Sequence, residues 1–387
     1  MQMGERATTG ERRRVSGARP LFNEEDVPEL LGRLENIIRG GRLIFGENTR
    51  EFEESFRLYV GARHAVTVNS CTTALEIAMR FYGAKGREVI VPTNTFASCV
   101  KAVMYAGGTP VLAAMNPDTF CLDTEDVLGR INERTAGVLV VHIAGLVYPE
   151  MDRLRDVCRE RGLFLIEDPS HAHGATIDER PAGSLADAAC FSFYPTKVMT
   201  TGTGGMITTD DEGLAAYARS VRHHGQGESL ESIVNLGNDW CMDELSAALG
   251  VYQLKRLDES VAHRNRVVEW YRRALEGVGW VKIPSHPENI RHAYYKFPVM
   301  LEEGIDKSRL RRIMLEEYGV ELGAIYDPPC HLHPVFQREL GWREGMFPET
   351  ESVLRRQVCL PVHAAVSEED VASVVEALQE AYIRVKE

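Results

Sequence analysis

Lys197 is set between two short apolar runs, an unusual place for a charge. Ala188 to Phe193 stops at Tyr194-Pro195 and delivers the lysine to a loop; Gly202, Gly204 and Gly205 follow, and a second β-type run covers Met206 to Thr209. Partial desolvation of an amine favours its neutral, nucleophilic form. The plain alternative for this stretch alone is a lysine whose head stays in water. Other residues of chemical interest also fall at the ends of apolar runs. Ser70-Cys71-Thr72 opens a helical stretch, where free N–H groups and hydroxyls suit a phosphate, although an ordinary Ser/Thr cap looks the same. Glu167-Asp168 closes the run Leu163 to Ile166, and a carboxylate there can hold a protonated ring nitrogen. Ser192 is a second hydroxyl donor, five residues before the lysine. His171 and His173 have His-x-His spacing, but no further ligand set has recognisable spacing, so no metal is expected.

Alternating strands and helices must position these residues. Strands are expected at His64–Val68, Glu88–Val91, Pro110–Ala114, Gly137–His142 and Leu163–Ile166. Helices are expected at Ala74–Tyr82, from Phe96 through Tyr105, at Thr124–Ile131 and at Glu150–Arg161. Short, all-apolar strands alternating with helices indicate an α/β fold, a mostly parallel sheet covered on both faces. Ligands of such sheets sit at the carboxyl ends of the strands. Before this alternation lie helices starting after Asn23 and at Glu47. After it come amphipathic helices Asp243–Glu259 and His263–Leu275, a strand Tyr294–Met300, a helix Lys307–Tyr318, a loop over 327–334, and a final helix Ser367–Val385. The expected organisation is a disordered tail over 1–20, a large α/β domain over 21–259, and a small α+β domain over 260–387.

Composition narrows the partners. With 57 acidic and 44 basic residues the net charge is −13, which argues against nucleic acid and anionic membranes. No apolar stretch approaches a membrane span, and the basic N-terminus lacks the apolar region of a signal peptide. The eight cysteines have no CxxC spacing and several sit in apolar runs, as expected of reduced thiols in a cytoplasmic protein.

A phosphate cradle, a carboxylate for a pyridinium nitrogen and a loop lysine together are what pyridoxal 5'-phosphate (PLP) requires. The segments Asn-Ser-Cys-Thr-Thr-Ala-Leu from 69, Pro-Thr-Asn-Thr-Phe from 92 and Tyr-Ala-Gly-Gly-Thr-Pro-Val from 105 resemble the DegT/DnrJ/EryC1/StrS aminotransferases. So do Glu-Asp-Pro-Ser-His-Ala-His-Gly-Ala from 167, Ser-Phe-Tyr-Pro-Thr-Lys from 192, Met-Asp-Glu-Leu-Ser-Ala-Ala-Leu-Gly from 242 and Leu-Pro-Val-His from 360. The resemblance covers roughly residues 21–385 in order. It implies a fold-type I PLP-dependent transferase, a homodimer with shared active sites, and transfer of an amino group from glutamate or glutamine to a nucleotide-linked keto-deoxysugar. Pyridoxamine phosphate would be the intermediate form of the cofactor.

Carried over by position, Lys197 would form the Schiff base and act as the base, and Asp168 would pair with the pyridinium nitrogen. Ser192, Cys71 and Thr72 would hold the phosphate, Phe96 would stack on the ring, and His171 would lie near the ring hydroxyl. Cys71 stands where the family usually has glycine, so its backbone N–H must serve. The family's Gly-Tyr-Asn-Tyr-Arg-Met is here Gly-Asn-Asp-Trp-Cys-Met, which makes Asn238 the candidate reaching the partner's phosphate and puts Cys241 at the usual arginine. His331, in Pro-x-His-Leu-x-Pro, and Tyr194 are the candidates for the sugar side. The alternatives are an aminocyclitol (keto-inositol) transaminase of the same family and a non-catalytic nucleotide-binding regulatory protein.

Overall fold

The computed structural model describes residues 14–227, 229 and 231–386. Seven strands form the central sheet: β1 (His64–Val68), β2 (Glu88–Pro92), β3 (Thr109–Ala113), β4 (Thr135–Val141), β5 (Phe164–Asp168), β6 (Ala188–Ser192) and β7 (Gly205–Thr209). Their order is β1-β7-β6-β5-β4-β2-β3. From β6 to β3 every neighbouring pair is parallel, whereas β7 runs antiparallel to both β1 and β6. Strand β4 is buried along its whole length, which requires cover on both faces. The reversal at β7 follows from its connection: residues 193–204 contain no helix, so the chain turns back at the same end of the sheet instead of crossing over it.

Helices α1 (Val27–Gly40), α2 (Glu47–Val60), α3 (Cys71–Phe81), α4 (Ala97–Tyr105), α5 (Thr124–Arg130), α6 (Met151–Glu160) and α7 (Glu212–Val221) belong to this part of the chain. The expected helix over 243–259 is instead α8 (Glu244–Lys255), and α9 (Leu257–Ala274) takes up the remainder together with the helix expected from His263. The break falls at Arg256, whose guanidinium is tied to Asp26 at 2.9 Å and to Glu25. Such a tertiary anchor leaves no mark on the apolar period. Glu244, the first residue of α8, is buried and caps α2 from outside. Its carboxylate accepts from the N–H groups of Gly46 (2.8 Å), Asn48 and Thr49 (both 2.9 Å), from Asn48 Nδ2 and from Thr49 Oγ1. A negative charge here meets the positive end of the α2 dipole.

Two large apolar clusters make up most of the core, beside a small one of Leu30, Ile37, Ala248 and Tyr252. The first joins the sheet to its helices and includes the contacting rings of Phe52, Phe56, Phe191 and Phe193. The second gathers Val267, Val268 and Tyr271 of α9 with strands β8 (Phe297–Leu301) and β9 (Gln357–Leu360). Helices α10 (Lys307–Tyr318) and α13 (Glu368–Lys386) also pack into this second cluster; the short α11 (Pro334–Leu340) and α12 (Pro348–Arg356) lie between them in sequence. Helix α9 supplies Leu257 and Val261 to the first cluster and so spans both. The strand expected from Tyr294 starts only at Phe297. Residues 293–296 are held elsewhere, with Ala293 N–H on Gly145 O (3.0 Å) and Lys296 N–H on Ala144 O (3.1 Å).

The disordered tail expected over 1–20 needs correction where it is described; residues 1–13 lie outside the described residues. Val15 is buried in the second cluster and forms a parallel bridge with Val320, its N–H on Gly319 O (3.0 Å) and its O taking Glu321 N–H (2.9 Å). One apolar residue among polar ones shows no period, yet it suffices to dock the segment beside Val320. Among the described residues no helix is long and apolar enough to cross a membrane.

Candidate active site

Loops leaving the carboxyl ends of β1, β2, β4, β5 and β6 converge on one crevice, joined there by the start of the antiparallel β7. Ser70 caps α3 by accepting from Thr73 N–H at 3.2 Å, so the N–H groups of Cys71 and Thr72 are left without intrahelical acceptors. Gly205 pairs with both Val68 and Ser192. A Cβ on Gly205 would lie 2.4 Å from the Ser70 carbonyl carbon and 2.7 Å from Cys71 N, so only glycine lets α3 seat here. The helix start is thereby held beside the half-buried Ser192. Free N–H groups, two hydroxyls and a helix dipole form a cradle for a dianionic phosphate.

Asp168, the last residue of β5, is buried and has a sparse set of donors. Its Oδ1 accepts from Ser170 N–H at 3.0 Å and its Oδ2 from the Cys99 thiol at 3.2 Å. Cys71 Sγ lies 3.9 Å from Oδ1 and donates to Cys190 O at 3.2 Å. Burial, with the charge of Asp168 adding to it, pushes both the Cys71 and Cys99 thiols well above their usual range, so both stay protonated donors. The Cys71 side chain therefore faces the carboxylate, and only its backbone is placed for the phosphate. A buried carboxylate held by one N–H and thiols retains lone pairs for a cationic ring N–H.

Lys197 extends from the loop after β6, and its Nζ lies 4.8 Å from the centre of the Tyr295 ring. Tyr295 stacks on His171 (4.3 Å, 27°) and its hydroxyl is 3.0 Å from Thr196 Oγ1. Ala144 N–H donates to His171 Nδ1 at 3.2 Å, which leaves the proton on Nε2, 2.8 Å from the Tyr326 hydroxyl. Burial, reinforced by Lys197 and Lys296, holds this imidazole well below its usual range, and it is neutral. His173 does something different. It is buried against Phe191 and Phe193, and burial, opposed by the Ser192 backbone, lowers its pKa to about 3.

The structure brings Cys71, Asp168, His171, Ser192 and Lys197 together with the start of α3, where Thr72 also lies. Phe96, 59% exposed at the head of α4, stands 6.0 Å from Tyr326 on the open side. Tyr194 is exposed, and its carbonyl accepts from Lys197 N–H. Asn238 is exposed in the segment before α8, its Oδ1 accepting from Asp239 N–H at 2.9 Å. His331 departs from the expectation of a residue facing substrate. Its ring is wholly buried, with Nδ1 2.8 Å from Thr93 Oγ1 and Nε2 2.9 Å from Glu351. Both nitrogens are taken because the loop over 327–334 docks on the loop after β2, where Cys330 N–H meets Thr93 O at 3.0 Å. Sequence reasoning missed Cys99, Tyr295 and Tyr326. The run His-Ala-Tyr-Tyr-Lys before a strand was the available signal for Tyr295.

The residues fit PLP: a cradle that a Cβ at Gly205 would destroy, a buried carboxylate paired with no cation among the described residues, and a lysine on the loop that follows the Ser192 strand. Fold and site together define a fold-type I PLP-dependent transferase. The chain belongs to the DegT/DnrJ/EryC1/StrS aminotransferase family, whose model matches residues 24–379. It is 36% identical over 343 residues to the GDP-perosamine synthase of Caulobacter vibrioides, covering 86% of this chain and 90% of that one. It is 34% identical over 376 residues to a spore coat polysaccharide biosynthesis protein of Bacillus subtilis, covering 93% and 95% of the two chains. The PLP form of a putative sugar aminotransferase from Streptococcus pneumoniae superposes with a TM-score of 0.89 at 27% identity, covering 96% of this chain and all of that one.

Proposed function

We propose that this protein is a PLP-dependent aminotransferase that moves an amino group from glutamate or glutamine to a nucleotide-linked keto-deoxysugar, for amino-sugar biosynthesis. The observation that carries this reading is the convergence of Lys197, Asp168 and the α3 cradle in a chain 36% identical to a GDP-perosamine synthase. PLP, when bound, supplies the electron sink that stabilises the carbanion left by proton removal. Lys197 would hold it covalently and, when released, would take the donor's Cα proton and return a proton in the second half-reaction. Asp168 orients the ring and keeps its nitrogen protonated. The N–H groups of Cys71 and Thr72, with Ser192, would hold the phosphate, and Phe96 and neutral His171 would lie against the ring. Tyr194 lines the sugar side. His331 acts by bracing the loop that carries Phe96, without touching the substrate.

The reading includes a homodimer with shared sites, in which Asn238 reaches the phosphate bound by the partner. Its support is the exposed apolar surface of α1 and the segments near Asn238: Leu31, Ile38, Leu43 and, 89% exposed, Leu236. It also includes the division into units 21–259 and 260–387, supported by the two clusters that meet along α9, and a cytoplasmic setting, supported by eight unpaired cysteines.

The test is a panel of nucleotide-linked 3- and 4-keto-sugars and keto-inositols, each with glutamate or glutamine, followed by mass detection of the aminated product. Amination of a nucleotide sugar is expected; turnover of keto-inositols alone would give the aminocyclitol reading instead. For the shared site, Lys197→Ala subunits are mixed with Asn238→Ala subunits. Each mixed dimer then holds one doubly defective and one intact site, so activity at limiting PLP should rise. Asn238→Ala alone should weaken PLP binding by roughly 1.5–3 kcal/mol, the worth of a hydrogen bond to a charged group.

A further inference from the structure

The reaction requires Lys197 to leave the cofactor and come back. When the donor amine replaces it, a C=N bond to the donor nitrogen forms as the C=N bond to Nζ breaks, and the two protons of the donor amine end on Nζ. The freed side chain has four rotatable bonds, and it must stay within reach of the carbon whose proton it takes. In the resting protein no carboxylate is paired with Nζ among the described residues; what lies against it is the face of Tyr295, 4.8 Å away.

We propose that Tyr295 is a positioning residue for Lys197, its ring face holding the free amine beside the site during the part of the cycle in which the lysine is not bonded to PLP. This rests on Lys197 being the PLP lysine. The ring is fixed from three sides. Its hydroxyl is bonded to Thr196, the residue next to the lysine, at 3.0 Å. Its other contact is the His171 ring, stacked at 4.3 Å. Its backbone is pinned where residues 293–296 cross Ala144 and Gly145, so closely that a Cβ on Gly145 would stand 2.8 Å from Tyr294 N and 3.0 Å from Tyr295 N. The π face of such a ring accepts an N–H of the neutral amine and attracts more strongly, through its quadrupole, the ammonium that Nζ becomes on taking the Cα proton. Lys296 also lies over the ring, at 5.4 Å. Burial raises the phenol, but Lys197, Lys296, the Thr196 hydrogen bond and Arg264 together hold the group below its usual range.

The test uses the full-length apo-protein and PLP. Attachment is followed by stopped-flow absorbance near the visible edge, and the bond is trapped with borohydride and located by mass. Tyr295→Leu should slow attachment about 2- to 30-fold, the range of a cation–π contact, with unchanged equilibrium binding of the PLP phosphate, and should lower kcat with KM for the amino donor unchanged. Tyr295→Phe, which keeps the face, should attach PLP at close to the wild-type rate; Tyr295→Met replaces Leu should that variant fail to fold. Wild-type attachment in the Leu or Met variant overturns the inference, as does an equal slowing in Phe, which would assign the effect to the hydroxyl. A trapped adduct surviving in Lys197→Ala would instead overturn the reading on which it rests.

Discussion

At the residue scale the informative contrast is between the two carboxylates that end β5. Glu167 is fully satisfied: it accepts from His142 Nε2 at 2.8 Å and from the N–H groups of Gly183 (2.9 Å) and Leu185 (2.7 Å). Asp168, one residue on and facing the other side, has one N–H and a thiol at hydrogen-bond distance. The first carboxylate ties the sheet to its own loops, and the second keeps capacity for a ligand. Asp168→Asn should therefore retain covalently attached PLP yet slow the half-reaction with glutamate by about 100-fold or more, because an amide no longer holds the ring nitrogen protonated. Single-turnover absorbance checks this, and an unchanged rate would assign the role to another group.

Elements place these residues by contacts across the chain. Glu244 binds the first turn of α2 to the first residue of α8, and burial of its carboxylate is outweighed by donors from Thr49 and Asn48, which hold it below the usual carboxyl range. Glu244→Gln sets an amide N–H2 against donors that need an acceptor. It should cost about 3 kcal/mol, read as a lower denaturant midpoint with an unchanged slope. Little of this was legible beforehand. Apolar runs such as Val138 to Val141 announced the sheet, and Asp168, Ser192 and Lys197 were readable because each follows such a run. The antiparallel direction of β7 was not, since a two-residue period looks the same in either direction. Tyr295 and Tyr326 escaped because their loops reach the site only through docking on Ala144 and Thr93, and the burial of His331 was not legible for the same reason.

For the whole molecule, buried histidines dominate the response to acid. Burial lowers His173 to about 3 and His363 to about 4, with Lys197 and Arg264 adding to the effect respectively, and it holds His171 and His292 well below the usual range. The unfolded chain binds protons at these sites as pH falls below about 6.5, while the folded chain does not. Each site thus contributes stability that is fully present above that pH and lost below it, at roughly 1.4 kcal/mol per pH unit until its own folded value is reached. Urea midpoints at pH 7.5, 6.5 and 5.5 should fall with an increasing slope; a flat profile over this range would contradict the burial of neutral imidazoles.

The bridge between Val15 and Val320 also bears on how the protein is made. Its halves are separated by about 300 residues, which a ribosome adding roughly 5–20 residues per second needs about 15–60 s to span. The stretch from Val15 emerges before any strand of the sheet, yet its hydrogen-bonding partner does not exist until Val320 has been added. The sheet, whose strands are all contained in residues 64–209, can assemble well before then. The second cluster is completed after the sheet, by joining a segment made before it to segments made after it.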